Sequence, residues 1–116
     1  MDEPALRDCA LAWPGVSAEI KWQDDLVFSV DAKMFCVLSV RGPQAGRVSF
    51  KVDDHRFLEL TGQPGFAPAP YLARARWVQV SAPDALPGEQ LRMFVRRSYE
   101  LVRGKLSKRR QRELID

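Results

Sequence analysis

The sequence predicts an α+β protein, a two-layer sandwich in which an antiparallel sheet carries the terminal helices packed on one face. Three observations lead there. Between Val16 and Val52 four strand-like runs follow one another with only short turn segments between them. Both ends of the chain instead repeat apolar residues with the 3.6-residue period of a helix. At 116 residues, 46% hydrophobic and 28% charged, the chain has material for one core and one domain, 1–116. Consecutive strands joined by tight turns pair antiparallel, and helices with one apolar stripe need one sheet face to cover it. The expected order is α-β-β-β-β-α-β-α, with the C-terminal tail read as a short further helix or an ordered segment.

Pro4 to Trp13 is expected to be helical, because Leu6, Cys9, Ala10 and Trp13 fall at i, i+3, i+4 and i+7 and Pro14-Gly15 stops the pattern. Val16, Ala18, Ile20 and Trp22 alternate with Ser17, Glu19 and Lys21, the pattern of a strand with one buried face. The polar Gln23-Asp24-Asp25 breaks it. Leu26–Val30 and Met34–Val40 are two apolar runs on either side of Asp31-Ala32-Lys33, a length suited to a hairpin. Phe28 and Val30 should point together, as should Cys36, Leu38 and Val40. After the turn residues of 41–46, Val48, Phe50 and Val52 alternate with Arg47, Ser49 and Lys51 in a fourth strand.

Asp53 is expected to cap a short helix with its side chain, and Gly62 to close it, with Phe57, Leu58 and Thr61 facing inward. Gln63 to Pro70 holds three prolines and a glycine and reads as a loop. A strand follows over Ala75–Val80, with Trp77 and Gln79 on one face and Val78 and Val80 on the other. Pro87 can open the long helix, whose Leu91, Phe94, Val95, Ser98 and Val102 form one stripe. Gly104 ends that helix, and in the tail Leu106, Arg110 and Leu114 share a side.

Charge divides the chain unevenly. Residues 1–90 carry nine Lys/Arg and twelve Asp/Glu, a net of −3, whereas residues 91–116 carry nine and three, a net of +6. Such an asymmetry can recruit a polyanion; the alternative is a solvated helix whose late cations complement the macrodipole. The acidic start without a long apolar run and the lack of any membrane-length stretch predict a cytoplasmic protein. Cys9 and Cys36 sit among apolar neighbours, far apart, and read as buried thiols.

Nothing in the sequence points to catalysis or to a cofactor. The single histidine, His55, lacks ligand or triad partners at a useful spacing, and the glycines match neither a phosphate loop nor a dinucleotide fingerprint. Ser98, on the apolar stripe, is expected to bond a backbone carbonyl of its own helix or of a neighbouring strand. Tyr99 and Trp77 are read as packing residues, the tyrosine hydroxyl reaching a polar partner.

Leu11-Ala12-Trp13-Pro14-Gly15-Val16, Lys33-Met34-Phe35-Cys36-Val37-Leu38, Tyr71-Leu72 leading to Trp77-Val78-Gln79-Val80, and Arg97-Ser98-Tyr99-Glu100-Leu101-Val102 with Lys105-Leu106 stand in a specific order and spacing. Together they resemble the MmcQ/YjbR family of small bacterial proteins. The resemblance implies a CyaY-like, frataxin-type fold and a DNA-binding role. Frataxin-like iron handling is disfavoured, because the first helix offers only Asp2, Glu3 and Asp8, interrupted by Arg7.

For DNA the candidate phosphate contacts are Arg74, Arg76, Arg92, Arg96, Arg97, Arg103, Lys105, Lys108, Arg109, Arg110 and Arg112. Their charge would give affinity without sequence preference. The rival expectation is a protein-interaction or small-ligand module that uses the open sheet face or the Phe66–Tyr71 loop, its basic surface merely solvated.

Overall fold

The structure, a computed structural model, describes residues 1–115. Six strands form one antiparallel sheet in the order β1-β2-β3-β4-β6-β5: β1 Val16–Lys21, β2 Asp25–Val30, β3 Lys33–Ser39, β4 Val48–Lys51, β5 Phe66–Pro68 and β6 Trp77–Val80. Four helices accompany it: α1 Glu3–Leu11, α2 Asp54–Thr61, α3 Gly88–Arg103 and α4 Lys108–Glu113. The predicted α+β sandwich is present, with α1 and α3 against the same face. None of the helices is long and apolar enough to cross a membrane, among the described residues.

Strand alternation decides what each face carries. Phe28, Cys36, Phe50 and Val78 line up across β2, β3, β4 and β6 on the helix side. They join Leu6 and Ala10 of α1 and Leu91, Val95 and Tyr99 of α3 in the core, all of them fully buried. Each such large apolar side chain contributes about 1.5–3 kcal/mol by leaving water. The other face presents the row Glu19, Val27, Val37, Ser49, Gln79 and Ala67.

The β2–β3 connection is the two-residue turn Asp31-Ala32, both at positive φ (51° and 67°), as a mirror-image hairpin turn requires. A bulge interrupts this pair: Cys36 lies opposite Phe28 and Met34 opposite Ser29, which leaves Phe35 without a partner on β2. Phe35 therefore turns into the core beside Phe28, Trp13 and Tyr99. Its carbonyl accepts a 2.6 Å hydrogen bond from the Ser98 hydroxyl, which in turn accepts from the Lys51 N–H at 2.9 Å. Ser98 thus joins α3 to two strands where their own ladder stops. Tyr99 is also fully buried, and its hydroxyl donates to the Pro14 carbonyl at 2.6 Å.

Several expectations change. The 63–70 segment contains the short strand β5, not only loop, because an edge strand pairs on one side and tolerates prolines there. The sixth strand begins at Trp77; residues 73–75 form a 3₁₀ turn and Arg76 takes a left-handed conformation (φ 66°). On α2, Leu58 points to solvent at 83% exposure, while Leu60 is buried beside half-buried Phe57. Phe57, Leu60 and Thr61 share the inner stripe at i, i+3 and i+4, and Leu58 falls off it. Asp53 makes no side-chain cap for α2. Its carboxylate is held by Arg97 instead.

Candidate nucleic-acid interface

On the long helix α3, Arg92 and Arg96 share a side because they are four residues apart, and Arg97, next around the helix, is drawn to the same groove by its contact with Asp53. That side looks across to the start of α2, where Asp53 and Arg56 stand, and to the end of β4, where Lys51 stands. Between them lies a groove of about 620 Å³. Five cations line it, Lys51, Arg56, Arg92, Arg96 and Arg97, against two carboxylates, Asp53 and Glu100. Phe94 and Met93 supply an apolar part of its wall.

The carboxylates hold the guanidiniums in place. Arg97 grips Asp53 with a two-pronged contact, Nε to Oδ1 at 3.0 Å and Nη2 to Oδ2 at 2.8 Å, and reaches Glu100 at 3.5 Å with Nη1. This hydrogen bonding raises the Arg97 pKa further and holds the Asp53 carboxyl below its ordinary range. Arg96 sits 3.3 Å from Glu100 and lies over the rings of Trp13 and Tyr99. Arg92 bonds Glu89 one turn back. Arg56 lies 5.3 Å from the centre of the Phe94 ring and 3.9 Å from Glu59.

Lys51 connects this groove to a second set of cations. Its ammonium donates to the Ala75 carbonyl. Burial pulls its pKa down, and the nearby charges of Lys105 and Arg76 act in the same direction. Arg76, 3.7 Å from Asp54, and Arg74 just before it are both exposed. Lys105 is exposed and makes no ion pair among the described residues.

The remaining expected residues go elsewhere. Arg103 donates to the Leu114 carbonyl at 3.1 Å and lies over the Tyr99 ring, fastening the tail to α3. Arg110 bonds Asp31 at 3.0 Å and Glu113 at 2.9 Å, docking α4 on the β2–β3 turn. Arg109 pairs with Glu113 at 3.5 Å, and Lys108 and Arg112 are exposed beside it on α4. Of the eleven expected residues, the groove gathers Arg92, Arg96 and Arg97, with Arg74, Arg76 and Lys105 beyond Lys51. Sequence reasoning missed Lys51 and Arg56. Lys51 reads as the solvent residue of an alternating strand, and Arg56 is masked by the acids on either side of it.

A second concavity of about 690 Å³ lies on the open sheet face over Val37, Ser49 and Gln79. Trp22 and Tyr71 are part of its lining and are 64% and 104% exposed. Its charged lining is Asp24, Asp25 and Arg41, a net of −1. His55 is exposed on α2, and no group of three or more metal-ligating side chains occurs among the described residues.

A comparison with curated proteins finds no match. Among solved structures, this fold is similar to the Deinococcus radiodurans protein DR2400, which carries a DUF419 domain. The TM-score is 0.85 at 30% identity, over 97% of this chain and 87% of that one. It is also similar to a Pseudomonas syringae protein, with a TM-score of 0.70 at 19% identity over 88% of this chain and 99% of that one, a likeness of fold alone. The model of the YjbR family matches residues 11–101, which run from the end of α1 through the strands and most of α3, and the chain therefore belongs to the YjbR family.

Proposed function

We propose that this protein binds DNA without sequence preference and without catalysis, seating phosphates along the α2–α3 groove and on past Lys51 to Arg76 and Lys105. The observation that carries the reading is the groove's lining, five cations against two carboxylates. Phosphate oxygens can share the guanidinium donors of Arg92 and Arg97 with the carboxylates of Glu89, Asp53 and Glu100. The carboxylates keep those side chains extended and oriented before the polyanion arrives, which lowers the ordering cost of binding. The α4 cations Arg109, Arg110 and Arg112 fall outside this surface and serve chiefly to dock and solvate the tail.

The test is a titration of duplex DNA at several salt concentrations. The slope of log affinity against log salt should steepen by about 0.9 for each phosphate neutralised. Lys51→Gln, Arg56→Gln or Arg92→Gln should each reduce the slope by about one contact, and Arg112→Gln should leave it unchanged. Absent binding at low salt, or equal effects of the groove and α4 substitutions, would reject the proposal. The first of those results would favour a second reading, a protein or small-ligand module whose partner lies on the open sheet face. That reading rests on the exposure of Trp22 and Tyr71 beside the larger concavity.

A further inference from the structure

β1 is an edge strand, and the hydrogen-bond pattern shows which of its groups are unused. The Val16 N–H donates to the Trp13 carbonyl rather than to β2. Since the backbone of successive strand residues points alternately to either side, Ser17, Glu19 and Lys21 bond β2, and Ala18 and Ile20 turn their N–H and C=O groups to the open edge. The same alternation carried across the sheet agrees with Val40 N–H donating to Asp24 and Ser39 N–H to Arg47. Ile20 belongs to the helix-side row with Val16 and Ala18 but is 44% exposed, because no element covers it beyond the edge. Trp22, just past the strand, is 64% exposed.

We propose that this edge is a self-association surface, where a second copy of the chain adds its own β1 antiparallel and joins two six-stranded sheets into one. The occupant follows from charge complementarity. With the two-fold axis at Ile20, the two Ile20 residues exchange both backbone hydrogen bonds. Glu19 of each copy then falls opposite Lys21 of the other, at a non-hydrogen-bonded position where side chains are closest. Centring the pair on Ala18 instead sets Glu19 against Ser17 and leaves Lys21 beyond the paired strand. Within each chain Lys21 already lies 3.4 Å from Glu19; the Ile20 register sets two such pairs face to face with opposite charges adjacent, a network of four, and covers Ile20 with its own copy. An isologous contact of this kind closes after two subunits.

The experiment is sedimentation equilibrium of the full chain over a concentration series, with folding of each variant checked by circular dichroism. The native sequence should show a monomer–dimer equilibrium. Glu19→Lys places lysines opposite one another and Lys21→Glu places glutamates so, and each should weaken dimerisation about tenfold or more. An equimolar mixture of the two variants should restore the dimer as a heterodimer, and the double swap E19K/K21E should restore the homodimer. A native chain that stays monomeric up to its solubility limit would overturn the proposal. So would dimers that Glu19→Lys leaves intact, or single variants that mixing fails to rescue. None of these outcomes depends on whether the protein binds DNA.

Discussion

Replacing Ser98 by alanine should be among the costliest one-atom deletions in this protein. Ser98 is fully buried, and its hydroxyl donates to the Phe35 carbonyl at 2.6 Å while accepting from the Lys51 N–H at 2.9 Å. The bulge at Phe35 has removed the ladder bond these backbone groups would otherwise share. Alanine leaves unpaired a buried acceptor, at about 1–3 kcal/mol, and a partly buried donor, at about 1 kcal/mol, or roughly 2–4 kcal/mol together. Alanine is the better helix former, which returns about 0.5 kcal/mol. The net expected loss is roughly 1.5–3.5 kcal/mol, a large share of the ~6–17 kcal/mol that a domain this long holds at typical values per residue. Urea unfolding followed by circular dichroism should show the midpoint falling by roughly 1–2 M with an unchanged slope. A loss below about 0.5 kcal/mol would mean that water or a shifted backbone replaces the hydroxyl, and the reasoning about this junction would be wrong.

Two further outcomes follow from titration and burial. Asp53 has its folded pKa lowered, first by the hydrogen bond from Arg97 and against the opposing effect of burial. The pair therefore stabilises the protein above the unfolded carboxyl value of about 3.9 and loses that contribution as pH falls through the lower folded value. Arg97 is half exposed, so solvent screening limits the contribution to about 1 kcal/mol or less. Urea midpoints of the native chain and of Asp53→Asn should differ at neutral pH and converge as pH falls below the ordinary carboxyl value of about 3.9; a gap that stays constant down the acid range would contradict the assignment. Cys36 is completely buried, and burial pushes its thiol pKa far up, so it should resist a thiol reagent in the native state while half-buried Cys9 reacts. Two thiols should appear only in denaturant, and equal native labelling rates for both would refute the packing described around β3.

How much was legible before the structure depends on how local each signal is. The α3 stripe could be read directly, since Leu91, Phe94, Val95, Ser98 and Val102 keep one period along most of a sixteen-residue helix and all are buried. The β2–β3 connection reads as Asp31-Ala32-Lys33, whereas Lys33 already pairs with Val30 and the turn is only Asp31-Ala32; the hairpin itself was legible from its two apolar runs. The strand β5 was not, because Pro64, Pro68 and Pro70 dominate its surroundings and only its neighbour β6 makes it a strand. At Asp53 the local rule pointed to a cap, and an arginine 44 residues away claimed the carboxylate. The candidate site divides similarly. The net excess of cations in the last quarter was plain, but which of them face a common groove was not.

The sequence alone determined the layering, because alternation of period two and stripes of period 3.6 are local consequences of where side chains leave the backbone. It also placed Ser98 on the inner stripe and Tyr99 at its edge. The tertiary structure decided what those positions accomplish: that a bulge at Phe35 creates the vacancy Ser98 fills, that Lys51 and Arg56 share a groove with Arg92, Arg96 and Arg97, and that Arg110 turns away to hold α4 on a hairpin. Charge is a property of the residue, whereas a basic surface requires several residues from distant stretches to face one volume. Only the packing of α2, α3 and the end of β4 brings those charges together.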